Sequence, residues 1–225
     1  GYRVKFLVDT FSSSQITNLI EWQGKAVFEE LPGSEAQKKI WKQKREETYY
    51  GSSRNFFRAL HTGKLAEDGF IMKKLTRELN PERPQEGVIL QEIKKAKEIN
   101  NRDSLNYWIF KEKLRRYYHE NLSKLPLDPY QIMANADKPG LFMIGFTDCL
   151  YVIYTKRHEE TDFPDLYRPL DMENFETSVL VLRGPYAVFD MNGVVEGGEL
   201  IQEGTWSKAK LAELLPYDYA PGEGK

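Results

Sequence analysis

Polar and apolar residues alternate from Tyr2 to Phe11, where Val4, Phe6 and Val8 are interleaved with Arg3 and Lys5. That period of two predicts a half-buried strand. Ser12, Ser13 and Ser14 read as a loop. Gln15–Trp22 and Lys25–Leu31 predict two further strands, with Gln23-Gly24 as a hairpin turn between them. Pro32-Gly33 breaks the strand pattern and leaves Ser34 as an N-cap. The spacing then predicts a helix over 35–50, with Trp41, Arg45 and Tyr49 on one face. Gly51 suits the left-handed residue past a helix end. Ser52 or Ser53 caps a second helix over 54–62, with Phe56, Phe57 and Leu60 turned inward and Gly63 ending it. Gly69–Leu75 is a short strand.

Between 80 and 136 the punctuation is Pro81, Pro84, Pro126 and Pro129. Val88, Ile89, Ile93, Ala96 and Ile99 fall at helical spacing. Leu105–Leu122 reads as a second helix, with strand as an alternative because aromatic residues are frequent there. The last ninety residues return to short apolar runs. Leu141–Phe146 and Leu150–Thr155 predict a hairpin around Thr147-Asp148. Thr177–Leu182 and Tyr186–Asp190 predict another around Gly184-Pro185. Asp190–Gly193 is a turn into a strand over 194–202, and a short helix follows over 208–215. The reading is an α+β fold with mainly antiparallel strands: an N-terminal meander, a central group of helices and C-terminal hairpins. It is one unit, with sub-regions 1–79, 80–136 and 137–225.

The 225 residues are 40% apolar and 29% charged, which excludes a disordered, collagenous or coiled-coil chain. The net charge of −2 argues against a general nucleic-acid binder. That figure is a cancellation. Residues from 137 onward hold 8 Lys and Arg against 16 Asp and Glu, a charge of −8, which leaves +6 on residues 1–136. No apolar run approaches the ~18 residues of a membrane-spanning helix. A single cysteine, Cys149, rules out an intrachain disulfide and lies in an apolar strand run. The opening at Gly1 already reads as mid-strand, so the chain is expected to be a fragment of a longer protein.

Candidate chemistry is sparse. Ser52 and Ser53 with Arg54 and Arg58 form a candidate anion site, because free amides and the dipole at a helix N-terminus favour negative charge. Lys42 and Arg45 would extend it toward a polyanion. The alternative is a tight turn between two helices that needs the same residues as caps. His158 and Glu159 with Asp162 form the best metal candidate, although their spacing fits no standard loop. Asp190–Gly193 opens like a calcium loop but lacks its later ligands. No phosphate loop, nucleophile elbow or dinucleotide fingerprint occurs. No cofactor is expected. Trp22, Trp41, Trp108 and Trp206, with 13 Tyr and 12 Phe, are read mainly as core.

Several segments together resemble a known family. Gly1–Phe6, Phe28–Leu31, the set Trp41, Arg45, Tyr49, Gly51 and Ser53, then Phe56–Leu60 and Leu65–Phe70, form one block. Leu150–Tyr154, Thr177–Leu180, Phe189, Asn192-Gly193, Gly204–Ser207 and Leu214–Tyr219 form another. Both are similar to the region after the β-sandwich in bacterial carboxypeptidase-regulatory-like-domain proteins. The resemblance implies a secreted or envelope protein of Gram-negative bacteria, in the periplasm or cell envelope, with a transthyretin-like β-sandwich upstream as a partner domain. It carries no catalytic residue. The leading expectation is a non-enzymatic envelope binding or scaffold module for an envelope protein or glycan. The alternatives are a hydrolase with a spatially assembled acidic or metal site in the C-terminal part, and an anion-binding module on the basic helix pair.

Overall fold

The computed structural model describes residues 1–14, 19–160, 168, 171–196, 200–209 and 213–222. The fold is α+β, with five helices and eleven strands in antiparallel sheets among those residues. In chain order they are β1 (Tyr2–Ser14), β2 (Leu19–Glu30), α1 (Glu35–Tyr49), α2 (Ser53–Thr62), α3 (Leu65–Asp68), β3 (Phe70–Leu79), α4 (Glu86–Glu98) and α5 (Arg102–Lys113). Then follow β4 (Tyr117–Pro126), β5 (Met133–Asn135), β6 (Leu141–Ile144), β7 (Cys149–His158), β8 (Phe175–Leu182), β9 (Ala187–Asp190), β10 (Val195–Glu196) and β11 (Leu200–Gly204). No helix among the described residues is long and apolar enough to cross a membrane.

The chain divides into two compact units: Pro32–Thr76 with Glu120–Lys225, and Tyr2–Leu31 with Arg77–His119. The sequence pattern implied one unit with three successive sub-regions. Within this division the N-terminal strands group with the central helices, and the flanking segments form the larger unit.

In the larger unit a five-stranded sheet has the order β11-β8-β7-β3-β4, and a four-stranded sheet the order β10-β9-β6-β5. Its main core joins Phe56, Phe57 and Leu60 of α2 to Phe70, Leu150, Val152, Tyr154 and Leu180 of the first sheet. Ile144, Ala187 and Phe189 of the second sheet complete it. A smaller core holds Leu75, Cys149, Tyr151, Ile153 and Val179. Successive residues of β7 thus alternate between the two cores. A strand buried on both faces reads as an unbroken apolar run, which is the form of 149–154. Cys149 is buried there, as its apolar run implied.

Helix α1 begins where Ser34 predicted. The Gln37 Oε1 accepts the Ser34 amide at 3.0 Å, and the Gln37 amide donates back to Ser34 Oγ at 3.4 Å, closing a capping box. Ser52 caps α2 and left-handed Gly63 ends it.

The two hairpins expected near the C-terminus do not form. β6 pairs with β5 and β9, while β7 pairs with β3 and β8. Thr147-Asp148, with Asp148 at φ 63°, passes the chain from one sheet to the other. β8 pairs with β7 and β11, and β9 with β6 and β10, so Gly184-Pro185 is also a crossing between sheets. Adjacent strands part because each sheet needs its apolar face against α2. The turn at Asp190–Gly193 forms as expected, joining β9 to β10. A 3-10 turn spans Thr205–Lys208, and the helix expected over 208–215 falls largely on 210–212, which lie outside the described residues.

In the smaller unit β1 and β2 form an antiparallel ribbon that pairs from Tyr2 with Glu30 to Ser14 with Leu19. Gly24 is no turn: it pairs with Val8 inside one continuous strand. A Cβ there would lie 2.3 Å from the Leu7 carbonyl oxygen and 2.8 Å from the Phe6 ring, so a close approach is what glycine serves. Helix α4 buries Ile89, Ile93 and Ala96. Helix α5 stops at Lys113 rather than running to 122, and the aromatic stretch at Tyr117 is strand. Asn80 decides this by holding the Arg116 carbonyl with its amide at 3.0 Å and the Arg115 carbonyl with its side chain at 3.1 Å.

Candidate functional site

A concavity of the larger unit lies where α1 ends and α2 begins. It is a cleft of about 460 Å³, within the range of small-molecule sites. The end of α1 supplies Lys44, Glu47 and Thr48, the interhelical link supplies Ser52 and Ser53, and the strands supply Arg157 and Glu176. Thr205 and Trp206 of the 3-10 turn close it.

Its walls are held by hydrogen bonds that start in the interhelical link. Ser52 Oγ donates to the Tyr49 carbonyl at 2.6 Å and accepts the Asn55 amide at 3.2 Å. Asn55 Oδ1 accepts the Gly51 amide at 3.1 Å, and its Nδ2 donates to Asp68 at 2.9 Å. The Trp206 indole donates to the Gly51 carbonyl at 2.7 Å. Arg157 reaches from β7 to the carbonyls of Glu47 and Tyr50. A cation at the last carbonyls of α1 complements the helix dipole, and α1 has no basic residue in its own last turn.

Glu176 of the cleft, and Glu159 behind the cleft residue Thr205, stand under opposite influences. Burial pushes the Glu176 carboxyl up, and Arg157, whose Nε lies 3.3 Å from Glu176 Oε2, only partly offsets it. Burial also pushes Glu159 up, but its bonds outweigh that and hold it below the ordinary glutamate value. Its Oε1 accepts Thr205 Oγ1 at 2.5 Å and the Thr177 amide at 3.4 Å, while Lys208 Nζ lies 3.3 Å from Oε2. A pair of carboxyls with environments that separate their protonation is a pattern that acid–base sites use.

Of the anion-site residues, Ser52 and Ser53 line this cleft, but Arg54 and Arg58 turn to the C-terminal segment. Arg54 donates to the carbonyls of Asn192, Pro216, Tyr217 and Tyr219. Arg58 donates to the Tyr219 carbonyl at 3.3 Å and the Tyr49 hydroxyl at 3.4 Å. The four lie close together in sequence but serve two different places. Lys42 is exposed on α1, and Arg45 is half-buried on the stripe it shares with Trp41 and Tyr49.

The metal candidates separate as well. The His158 ring lies tilted against Phe175, 4.9 Å between centroids, with its Nε2 3.6 Å from Glu173, whereas Glu159 is tied to Thr205 and Lys208. Asp162 lies outside the described residues. Among the described residues no group of three or more His, Cys, Asp or Glu is assembled to hold a metal. The Asp190 carboxylate, the calcium-loop candidate, accepts the amides of Asn192 at 3.0 Å and Val194 at 2.8 Å within its own turn.

Arg157, Glu176, Thr205 and Trp206 carried no local signal. They are drawn together by the pairing of β7, β8 and β11, which no spacing along the chain encodes. Comparison of the chain with family models, with curated proteins and with solved structures found no match.

Proposed function

We propose that this chain is a non-enzymatic binding module of the bacterial cell envelope whose cleft at the α1–α2 junction takes a hydroxyl-rich ligand of the glycan class. One observation carries the reading: hydrogen-bonding groups of both signs, Lys44, Glu47 and Glu176 among them, surround an opening walled by Trp206. Charges that balance within a cleft do not select an ion, while hydroxyls, carboxylates and an aromatic wall suit sugars. The envelope setting and an upstream transthyretin-like sandwich rest on the sequence resemblance alone. Titration of the chain with chitotetraose and with a muropeptide, read by ligand NMR line broadening, tests the cleft. Broadening that is abolished by Ser53→Trp is expected, and no broadening with either probe overturns the glycan reading. Cell fractionation tests the setting, and recovery of the native protein in the cytosolic fraction overturns it.

The carboxyl of Glu176, raised by burial, and that of Glu159, lowered by its hydrogen bonds, favour a second reading, a hydrolase in which Glu176 is the more readily protonated of the two. Turnover of nitrophenyl glycosides or esters by the wild type, lost in Glu176→Gln, supports it. Absence of turnover leaves the binding module.

A further inference from the structure

The ribbon of the smaller unit has one apolar face, and its register shows how that face is maintained. Tyr2, Val4, Phe6 and Val8 pair with Glu30, Phe28, Ala26 and Gly24. The register then shifts between Val8 and Thr10, so that Phe11 pairs with Trp22 and Ser13 with Ile20. Side chains alternate between faces with a period of two. One extra residue, Asp9, therefore moves Phe11 onto the side of Val8, while the even-numbered residues of β2 stay there throughout. Without that bulge Phe11 would face away from Trp22.

This face is bare. Val4 is 39% exposed, Val8 52%, Phe11 66%, Ile20 68% and Trp22 46%. Phe6 and Trp22 pack edge to face within it at 5.3 Å, which spreads the apolar surface rather than hiding it. The sheet has two strands only among the described residues. A ribbon of two strands is marginal in water and needs further strands or a packed layer.

Three properties point to what covers it. From Tyr2 to Phe11 and from Ile20 to Phe28 the face holds no charged side chain, so a charged partner finds nothing to pair with and an identical face meets no like charge. Its five most exposed apolar residues leave roughly 500 Å² bare, in the upper part of the range for the largest patch on a monomer, which is often a contact site. Two such patches with their polar margins reach the ~1,200–2,000 Å² of a stable pair.

We propose that a second copy of this chain docks here, the two ribbons packing apolar face to apolar face about a two-fold axis. Sheets packed this way lie ~10 Å apart and form a four-stranded sandwich. Light scattering and sedimentation velocity on the whole chain test this. The expected mass is twice 26.3 kDa. Phe11→Lys and Ile20→Lys are each expected to weaken association at least about tenfold, with circular dichroism unchanged, since each places a charge in the seam. Leu7→Lys, on the opposite face, is expected to leave the dimer intact. A single 26.3 kDa species up to the solubility limit overturns the proposal. So does a dimer that both face variants leave unaffected. Co-sedimentation of the monomer with phosphatidylcholine vesicles, lost in Phe11→Lys, would assign the face to lipid and overturn it too.

Discussion

Arg54 Nη1 lies 2.6 Å from the carbonyl oxygen of Pro216, tying the C-terminal segment to the first turn of α2. The same guanidinium also reaches the carbonyls of Asn192, Tyr217 and Tyr219. Its burial pushes its pKa down, though it remains charged at any ordinary pH. A hydrogen bond to a charged group contributes ~1.5–3 kcal/mol net, and bonds that share one guanidinium do not add in full. Arg54→Ala is expected to cost about 2–4 kcal/mol in urea unfolding. Arg54→Lys recovers less than half, because a lone ammonium does not span four carbonyls set for a planar fork. A loss below about 0.5 kcal/mol in Arg54→Ala would show that the clamp is incidental.

Gly193 sits against the same helix. Its φ is +76°, and a Cβ would lie 2.2 Å from the Arg54 carbonyl oxygen. Gly63 is also left-handed, at φ +70°, but has open space around it. Gly63→Ala is expected to cost about 1 kcal/mol, the conformational term alone. Gly193→Ala adds a backbone overlap of about 1–3 kcal/mol to that term. Equal losses at the two sites, measured by thermal unfolding, would contradict the close packing.

Trp206 joins cleft and core. Its indole nitrogen is bonded to the Gly51 carbonyl, and its ring lies 5.4 Å from Phe56. Trp206→Phe keeps the ring contact and leaves a buried carbonyl without its donor. The expected cost is about 1–3 kcal/mol. An unchanged midpoint in urea would mean that water replaces the indole.

Glu159 and Glu176 are expected to give pH dependences of opposite sign. The folded pKa of Glu176 is raised, so its contribution is fully present below the ordinary value of 4.5 and is lost as pH rises through the folded pKa. That of Glu159 is lowered, so its contribution is present above 4.5 and is lost as pH falls through the folded pKa. Stability of wild type relative to Glu176→Gln therefore falls on going from acid to neutral pH. Relative to Glu159→Gln it rises. Parallel slopes in pH-dependent urea titrations would refute the assignment of the two environments.

The sequence by itself determined the local elements whose signals are local. Ser34 and Ser52 cap because an N-cap needs only a side-chain oxygen within reach of amides three residues on. Gly63 and the Asp190–Gly193 turn were legible for the same reason, and the period-two stretch at Tyr2–Phe11 predicted its strand. The apolar run at 149–154 identified β7, whose two-sided burial needs no alternation. The tertiary structure alone decided which strands pair. The runs 141–146 and 150–155 are separated by a turn that suits a hairpin, yet they enter different sheets, because pairing follows the apolar faces that α2 can cover. The same holds for Gly24, whose place in a continuous strand is set by the carbonyl and ring packed against it. It holds most for the cleft. Ser52 and Ser53 were visible as an α2 N-terminus, but Arg54, the next residue, belongs to the C-terminal clamp, and Arg157, Glu176 and Trp206 arrive from strands and a turn more than 100 residues away. Charges and hydrogen bonds act through space, so a site assembled across three strands leaves no period or spacing to read along the chain.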